Sequence, residues 1–266
     1  MFREEIPYTI EDIDRLSAEE KRANWDIAFG LQAVDGLVPS EYMKTLAEEH
    51  VVGKKTYKQI ADEVMKYYAD NERNRGENEA DIVSLRIKKA LAENAFAFSP
   101  ATLKGIHREL FKGVIAPEIP VGEYRNYNIT KSERVLSGKS VVYSPANLIK
   151  DVLAYDFGEE KRFDYSVISQ EEKAHHIMRF ISGVWQVHLF GEGNTRTCAV
   201  FAIKYLRSFG FSVDNETFRA HSEYFRDALA LDNYREKRNP EYLKMFTENL
   251  LFSGGHDLSA GIPAVC

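Results

Sequence analysis

The chain has 266 residues, 44% of them hydrophobic and 29% charged, with a formal net charge of −6. That length and apolar content can bury a real core in one large or two modest domains, and the acidic balance argues against nonspecific nucleic-acid binding. No apolar run approaches a membrane span, the start Met1-Phe2-Arg3-Glu4-Glu5 lacks a signal-peptide pattern, and only Cys198 and Cys266 occur, so a reducing, cytoplasmic setting without a disulfide framework is expected.

In chain order, residues 1–95 read as a separate charged, helical module. Thr9 followed by Asp12 suggests a cap, with a helix running toward Phe29. Pro39-Ser40 opens a second helix, and Thr56 with Gln59 makes a capping box for a third that ends near Asp70. The polar stretch from Asp70 to Asn78 reads as a linker, and a further helix covers Glu79 to Asn94. Ser99-Pro100 supplies an N-cap and N1 pair that opens the next region. Tyr124 to Ile129 and Ser140 to Tyr143 are rich in β-formers and joined through Ser137-Gly138-Lys139, which predicts a β-hairpin. Arg125 and Lys131 on it are candidates to steer acidic partners. From Glu171 to Val187, apolar residues at Ile177, Phe180, Ile181, Val184 and Trp185 fall in steps of three and four, the spacing of one helix face. Ala199 to Phe209 is almost wholly apolar and predicts a buried helix, with Cys198 a small buried hydrophobe at its start. The glycine-containing tail after Ser253 is expected to be loosely ordered.

Between those last two helices lies His188-Leu-Phe-Gly-Glu-Gly-Asn-Thr-Arg196, the densest chemistry in the chain. Gly191 and Gly193 permit positive φ and close approach of a ligand to the backbone. Asn194 and Thr195 can cap the following helix, whose free N–H groups favour anions. Arg196 in its first turn opposes the helix dipole, so a bidentate anion partner is the better explanation for it. Glu192 would repel phosphate unless a cation lay between, which implies Mg²⁺. His188, with an ordinary pKa of about 6.5, can be neutral and accept a proton.

This segment resembles the Fic family signature, His-x-Phe-x-(Asp/Glu)-Gly-Asn-x-Arg-x-x-Arg, at His188, Phe190, Glu192, Gly193, Asn194 and Arg196. Leu103 to Phe111 followed by Gly122-Glu-Tyr-Arg125 resembles the family's helix leading into its flap, and Tyr224 to Ala230 with Asn233-Tyr234 resembles its later helix. The resemblance implies a mainly α fold: a Fic-type helical bundle over residues 96–252 with one β-hairpin flap over the active site, an N-terminal module over 1–95 and a tail over 253–266. It implies transfer of AMP from ATP to a Ser, Thr or Tyr hydroxyl of a protein target, the chain itself being one possibility. His188 would be the general base and Glu192 the Mg²⁺ ligand. Gly191, Gly193, Asn194, Thr195 and Arg196 would hold phosphates, with Tyr224 and Asn233 near the adenine. Asn128, Ile129, Val141 and Val142 would dock the target's backbone by strand addition.

Two departures bear on this. Leu189 replaces the usual proline, and the signature's final arginine falls at Ala199. Trp25 to Tyr68 resembles the antitoxin-like module found beside Fic domains, whose inhibitory helix carries (Ser/Thr)-x-x-x-Glu-(Gly/Asn). Leu31, Asp35 and Gly36 fill those positions, and only the glycine matches. With Ala199 unable to offer an arginine partner, autoinhibition is expected to be weak, and strong activation on Asp35→Ala would contradict that. Rival readings are a nucleotide-binding module with an impaired transferase, a transferase using UTP, GTP or a phosphocholine carrier, and a zinc site on His175, His176 and His188. A homo-oligomer is possible.

Overall fold

The computed structural model describes residues 11–70 and 75–265. Eleven α-helices follow one another among them. The N-terminal set is α1 (Glu11–Asp14), α2 (Ala18–Gly30), α3 (Glu41–Val51), α4 (Tyr57–Asp70) and α5 (Arg75–Ala92). After these come α6 (Pro100–Phe111), α7 (Ile149–Arg162), α8 (Gln170–Val187), α9 (Asn194–Ser208), α10 (Asn215–Asp232) and α11 (Glu241–Phe252).

Local sequence sets most of these starts. Ser40 accepts from the Met43 amide, Thr56 and Gln59 bond each other's backbone N–H reciprocally, and Ser99 caps α6 ahead of Pro100. The expected cap at Thr9 lies outside the described residues, as does Cys266. The long second helix starts instead from Ser17, whose hydroxyl accepts from the Glu20 amide while Glu20 accepts from the Ser17 amide. That is a Ser-x-x-Glu capping box, a stronger start than a Thr-x-x-Asp pair. Helix α5 begins at Arg75, so the linker expected over 70–78 is partly helical.

The β-hairpin expected between Gly122 and Tyr143 is absent: among the described residues there is no strand. A 3₁₀ turn at Arg134–Leu136 joins two extended stretches that do not form a ladder. The alternation was real but served another purpose. Val141 and Tyr143 are buried with Val142 exposed between them, and Val135 and Leu136 are fully buried. Those side chains anchor a loop to the helical core, and Arg125 replaces the missing ladder. Its guanidinium is 2% exposed and donates to the carbonyls of His188 (2.6 Å), Tyr127 (2.7 Å), Ser144 and Val187 (3.2 Å). The expectation that Arg125 steers partners from the surface is therefore corrected: it is the loop's internal fastener.

The described residues form two apolar cores. The larger gathers side chains of α2 and α5 to α11, while the smaller lies among α2, α3, α4 and α5 around Trp25, Met43, Ile60 and Val64. Helix α2 serves both, placing Trp25 in the small core and Ile27, Ala28 and Leu31 in the large one. Asp81 of α5 ties the module together by accepting from Ser40 N (2.8 Å) and Tyr68 OH (2.6 Å). Lys204 and Arg207 of α9 donate to the last carbonyls of α5, Ala90, Leu91 and Glu93, as cations do at helix C-termini.

Gly30 ends α2 where it crosses α10, and a Cβ there would overlap Arg219 Cα and the Phe218 carbonyl oxygen. Backbone cannot yield as a flexible side chain can, so Gly30→Ala is expected to cost about 1–3 kcal/mol by forcing the helices apart. Urea denaturation of the variant against the parent measures it.

Candidate active site

Helix α8 stops at Val187, and His188 takes the left-handed conformation (φ 53°, ψ 66°) that ends it. A non-glycine residue there is uncommon and mildly strained. The turn throws the imidazole toward the loop over 124–145 rather than along the helix. Gly193 (φ 70°) then starts α9, and a Cβ on it would strike the ring of Phe111. The site is thus helix, tight loop, helix, as the spacing suggests.

His188 is 3% exposed, and neither ring nitrogen has a hydrogen-bond partner. Tyr143 covers the ring at a centroid distance of 4.2 Å, with Trp185 edge-on at 5.8 Å. Burial, reinforced by the positive charges of Lys131, Arg125 and Arg226, pushes its pKa well below the ordinary value, so the ring is neutral. An orphaned buried polar group costs about 1–3 kcal/mol, and such groups call for an explanation.

Asn194 is placed differently from expectation. Its side chain accepts from Phe190 N (2.9 Å) and donates to Phe190 O (2.8 Å), stapling the loop shut, and it does not cap α9. Thr195 likewise spends its hydroxyl on Trp185 Nε1 (3.0 Å). Both are the first residues of a helix whose N-cap is Gly193, so side-chain capping is unavailable to them.

Arg196 has the anionic partners that its position demands, and they belong to the protein. Its Nη2 donates to Glu79 Oε1 (2.6 Å), its Nη1 to Gln32 Oε1 (3.1 Å), and its Nε forms an ion pair with Asp35 Oδ2 at 2.8 Å. The guanidinium also lies over the Phe111 ring, 4.7 Å from its centroid. Asp35 sits in a 3₁₀ turn, Ala33–Asp35, closed by Gly36 at φ 70°, while Leu31 is fully buried. Ala199 offers Asp35 nothing, yet Asp35 still finds an arginine of the motif and a second in Arg226 (3.6 Å). Asp35 thus has no partner at position 199, as expected, but it does form a charge pair with the motif's other arginine. Arg226 in turn meets Glu133 (3.1 Å), which accepts from Tyr143 OH (2.9 Å), so one polar chain runs from Arg196 to the residue covering His188.

Glu192 is exposed, and its carboxylate makes no ion pair or hydrogen bond among the described residues. Its carbonyl oxygen accepts from His107 Nε2 (3.1 Å), whose Nδ1 accepts from Gly122 N (2.8 Å). His107 stacks on Phe190 at 3.8 Å and so holds α6, the start of the loop and the motif in one place. Sequence reasoning passed over it, because a histidine within an amphipathic helix carries no local signal of such a contact.

Burial also lowers the pKa of His107 to about 4. The unfolded chain then binds a proton below pH about 6.5 that the folded chain refuses, so this contribution is intact above 6.5 and is lost as pH falls toward 4. Going from pH 7 to 4.5 is expected to cost about 2–3 kcal/mol from His107 alone. Urea midpoints at the two pH values, compared with His107→Gln, should show a smaller acid loss in the variant.

The remaining expected site residues are dispersed. Asn233 ends α10 with its amide on Ser182 and Leu229. Tyr224 is buried, its hydroxyl unpartnered, beside a cavity of about 310 Å³. Asn128, Ile129, Val141 and Val142 do come together, lining a cleft of about 360 Å³ between the two extended stretches. The three histidines of the zinc reading do not meet: His176 stacks on Phe163 and bonds Glu160, His188 lies under Tyr143, and His175 faces Glu171 and Glu248.

Residues 97–206 match the family model described as Fic/DOC family. The fold is similar to the N-terminal FIC domain of Bep8, a VirB-translocated effector protein from Bartonella sp. 1-1C, with 17% identity, TM-score 0.51, and coverage of 66% of this chain and 86% of that one. It is also similar to BepC from Bartonella tribocorum, solved with bound AMPPNP, with 19% identity, TM-score 0.52, and coverage of 70% and 90%. No curated protein matches the chain.

Proposed function

We propose that the chain, whose residues 97–206 match the Fic/DOC family model, transfers AMP from ATP to a Ser, Thr or Tyr hydroxyl of a protein. One observation carries this reading: a neutral imidazole, buried and without a partner on either nitrogen, at the strained end of α8. A structural histidine would have found a hydrogen bond, as His107 does.

His188 accepts the proton of the attacking hydroxyl, the oxygen bonds the α-phosphorus, and the bond to pyrophosphate breaks. Arg196 neutralises phosphate charge, while Gly191 and Gly193 make room for Tyr127 and Phe111, which pack against the loop. Glu192 fits a divalent ion: an exposed carboxylate with no side-chain partner beside an anion site can ligate Mg²⁺, which would offset charge on the α- and β-phosphates. AMPPNP in BepC supports the nucleotide part of this reading.

Access requires movement. Tyr143 must leave the ring of His188, and Arg196 must exchange Asp35 and Glu79 for phosphate. Those two contacts favour a second reading, a nucleotide-binding regulatory module with a silenced transferase, which the missing arginine at Ala199 also fits. Intact-mass analysis after incubation with ATP and Mg²⁺ separates them. One added AMP per modified site supports transfer, whereas nucleotide binding without a mass gain on the chain or on an added proteome supports the silenced module.

A further inference from the structure

Away from the motif, the first turns of α8, the end of α11 and the segment after it bring together three side chains able to ligate a metal, with His256 beside them. His175 Nε2 lies 3.6 Å from Glu171 Oε1 and 3.5 Å from Glu248 Oε1. Ligand atoms of these three residues all fall within 4.8 Å of one another. Glu171 and His175 are four residues apart on α8, so one helix face presents both.

The spacing is informative. Distances of 3.5 and 3.6 Å are too long for hydrogen bonds, and His175 Nε2 is a buried atom with no hydrogen-bond partner. Donor atoms around a tetrahedral ion with bonds of about 2.0–2.2 Å stand about 3.3–3.6 Å apart. His256 Nε2 hydrogen-bonds the other oxygen of Glu248, the kind of support that fixes a ligating carboxylate. Lys244 Nζ, 3.8 Å from Glu248 Oε1, offsets one of the two carboxylates and leaves the group with one net negative charge when its imidazoles are neutral. His175 also borders a cavity of about 500 Å³, with room for water or a small anion to complete a coordination shell.

We propose that Glu171, His175 and Glu248 bind a divalent transition-metal ion, with His256 orienting Glu248. An imidazole nitrogen beside two carboxylates suits Zn²⁺ or Mn²⁺ better than Mg²⁺ or Ca²⁺. This site is independent of the nucleotide reading and shares no residue with it.

Zn²⁺ titration of the nucleotide-free full chain in a Glu192→Ala background tests it without interference from the motif carboxylate. One saturable Zn²⁺ per chain is expected. His175→Ala and Glu248→Gln should each weaken binding more than about 100-fold, and His256→Ala about 10–100-fold. Thermal unfolding in EDTA checks that each variant folds; should His175→Ala not fold, Glu171→Gln at an exposed position makes the same measurement. No saturable Zn²⁺ binding, or unchanged stoichiometry and affinity in the folded variants, overturns the proposal.

Discussion

His188→Ala is expected to lower AMP transfer by about 10²–10⁴-fold, the usual worth of a general base, while leaving ATP affinity unchanged. The two effects separate because the imidazole makes no bond to anything in the resting site. Its removal should also spare the fold. An orphaned polar ring is taken out of a buried position, which offsets the cavity it leaves, and the left-handed backbone is anchored independently by Arg125 on its carbonyl oxygen. Incorporation of α-labelled ATP, an equilibrium nucleotide-binding measurement and a urea curve on one preparation decide the matter. Unimpaired transfer by a folded His188→Ala protein would remove the basis of the proposed mechanism.

Arg196→Ala should behave in the opposite way, with stability suffering first. The guanidinium is 2% exposed and holds Glu79, Asp35 and Gln32 together, so its loss takes the arginine from Glu79 and leaves Asp35 with Arg226 alone, at 3.6 Å. Breaking a buried ion pair costs up to about 3–5 kcal/mol, and because both carboxylates are partly solvated the variant should lose about 1–3 kcal/mol. The complementary change is informative: Asp35→Ala leaves Arg196 paired with Glu79 and frees part of it for phosphate. A lower KM for ATP with little change in stability is the expected result, and an unchanged KM would show that Asp35 does not compete with nucleotide.

Legibility in the sequence followed contact range. The motif from His188 to Arg196 could be read because its parts are adjacent in the chain, and the caps at Ser40, Thr56 and Ser99 because each bonds a residue three positions away. The partners of Arg196 could not, since Gln32 and Glu79 lie 164 and 117 positions off. A dipole argument correctly demanded an anion there, but nothing local said that the protein itself would supply it. Residues 124–143 failed for another reason. Alternation in Val141, Val142 and Tyr143 reports which side chains face inward, and a strand was inferred from it; whether the backbone finds a neighbouring strand is a separate question. Asn194 shows the same limit at smaller scale, because a capping residue by type became a loop staple once Gly193 took the cap position.

The double duty of α2 has a mechanical outcome. Because one face seats Trp25 among α3 to α5 and another seats Ile27 and Ala28 in the larger core, α2 is held on both sides up to Gly30, and Asp35 lies in the turn just beyond that anchor. Relief of the Asp35–Arg196 contact is therefore confined to small rotations of the turn after Gly30, and an incoming triphosphate would wedge that turn aside and leave α2 in place.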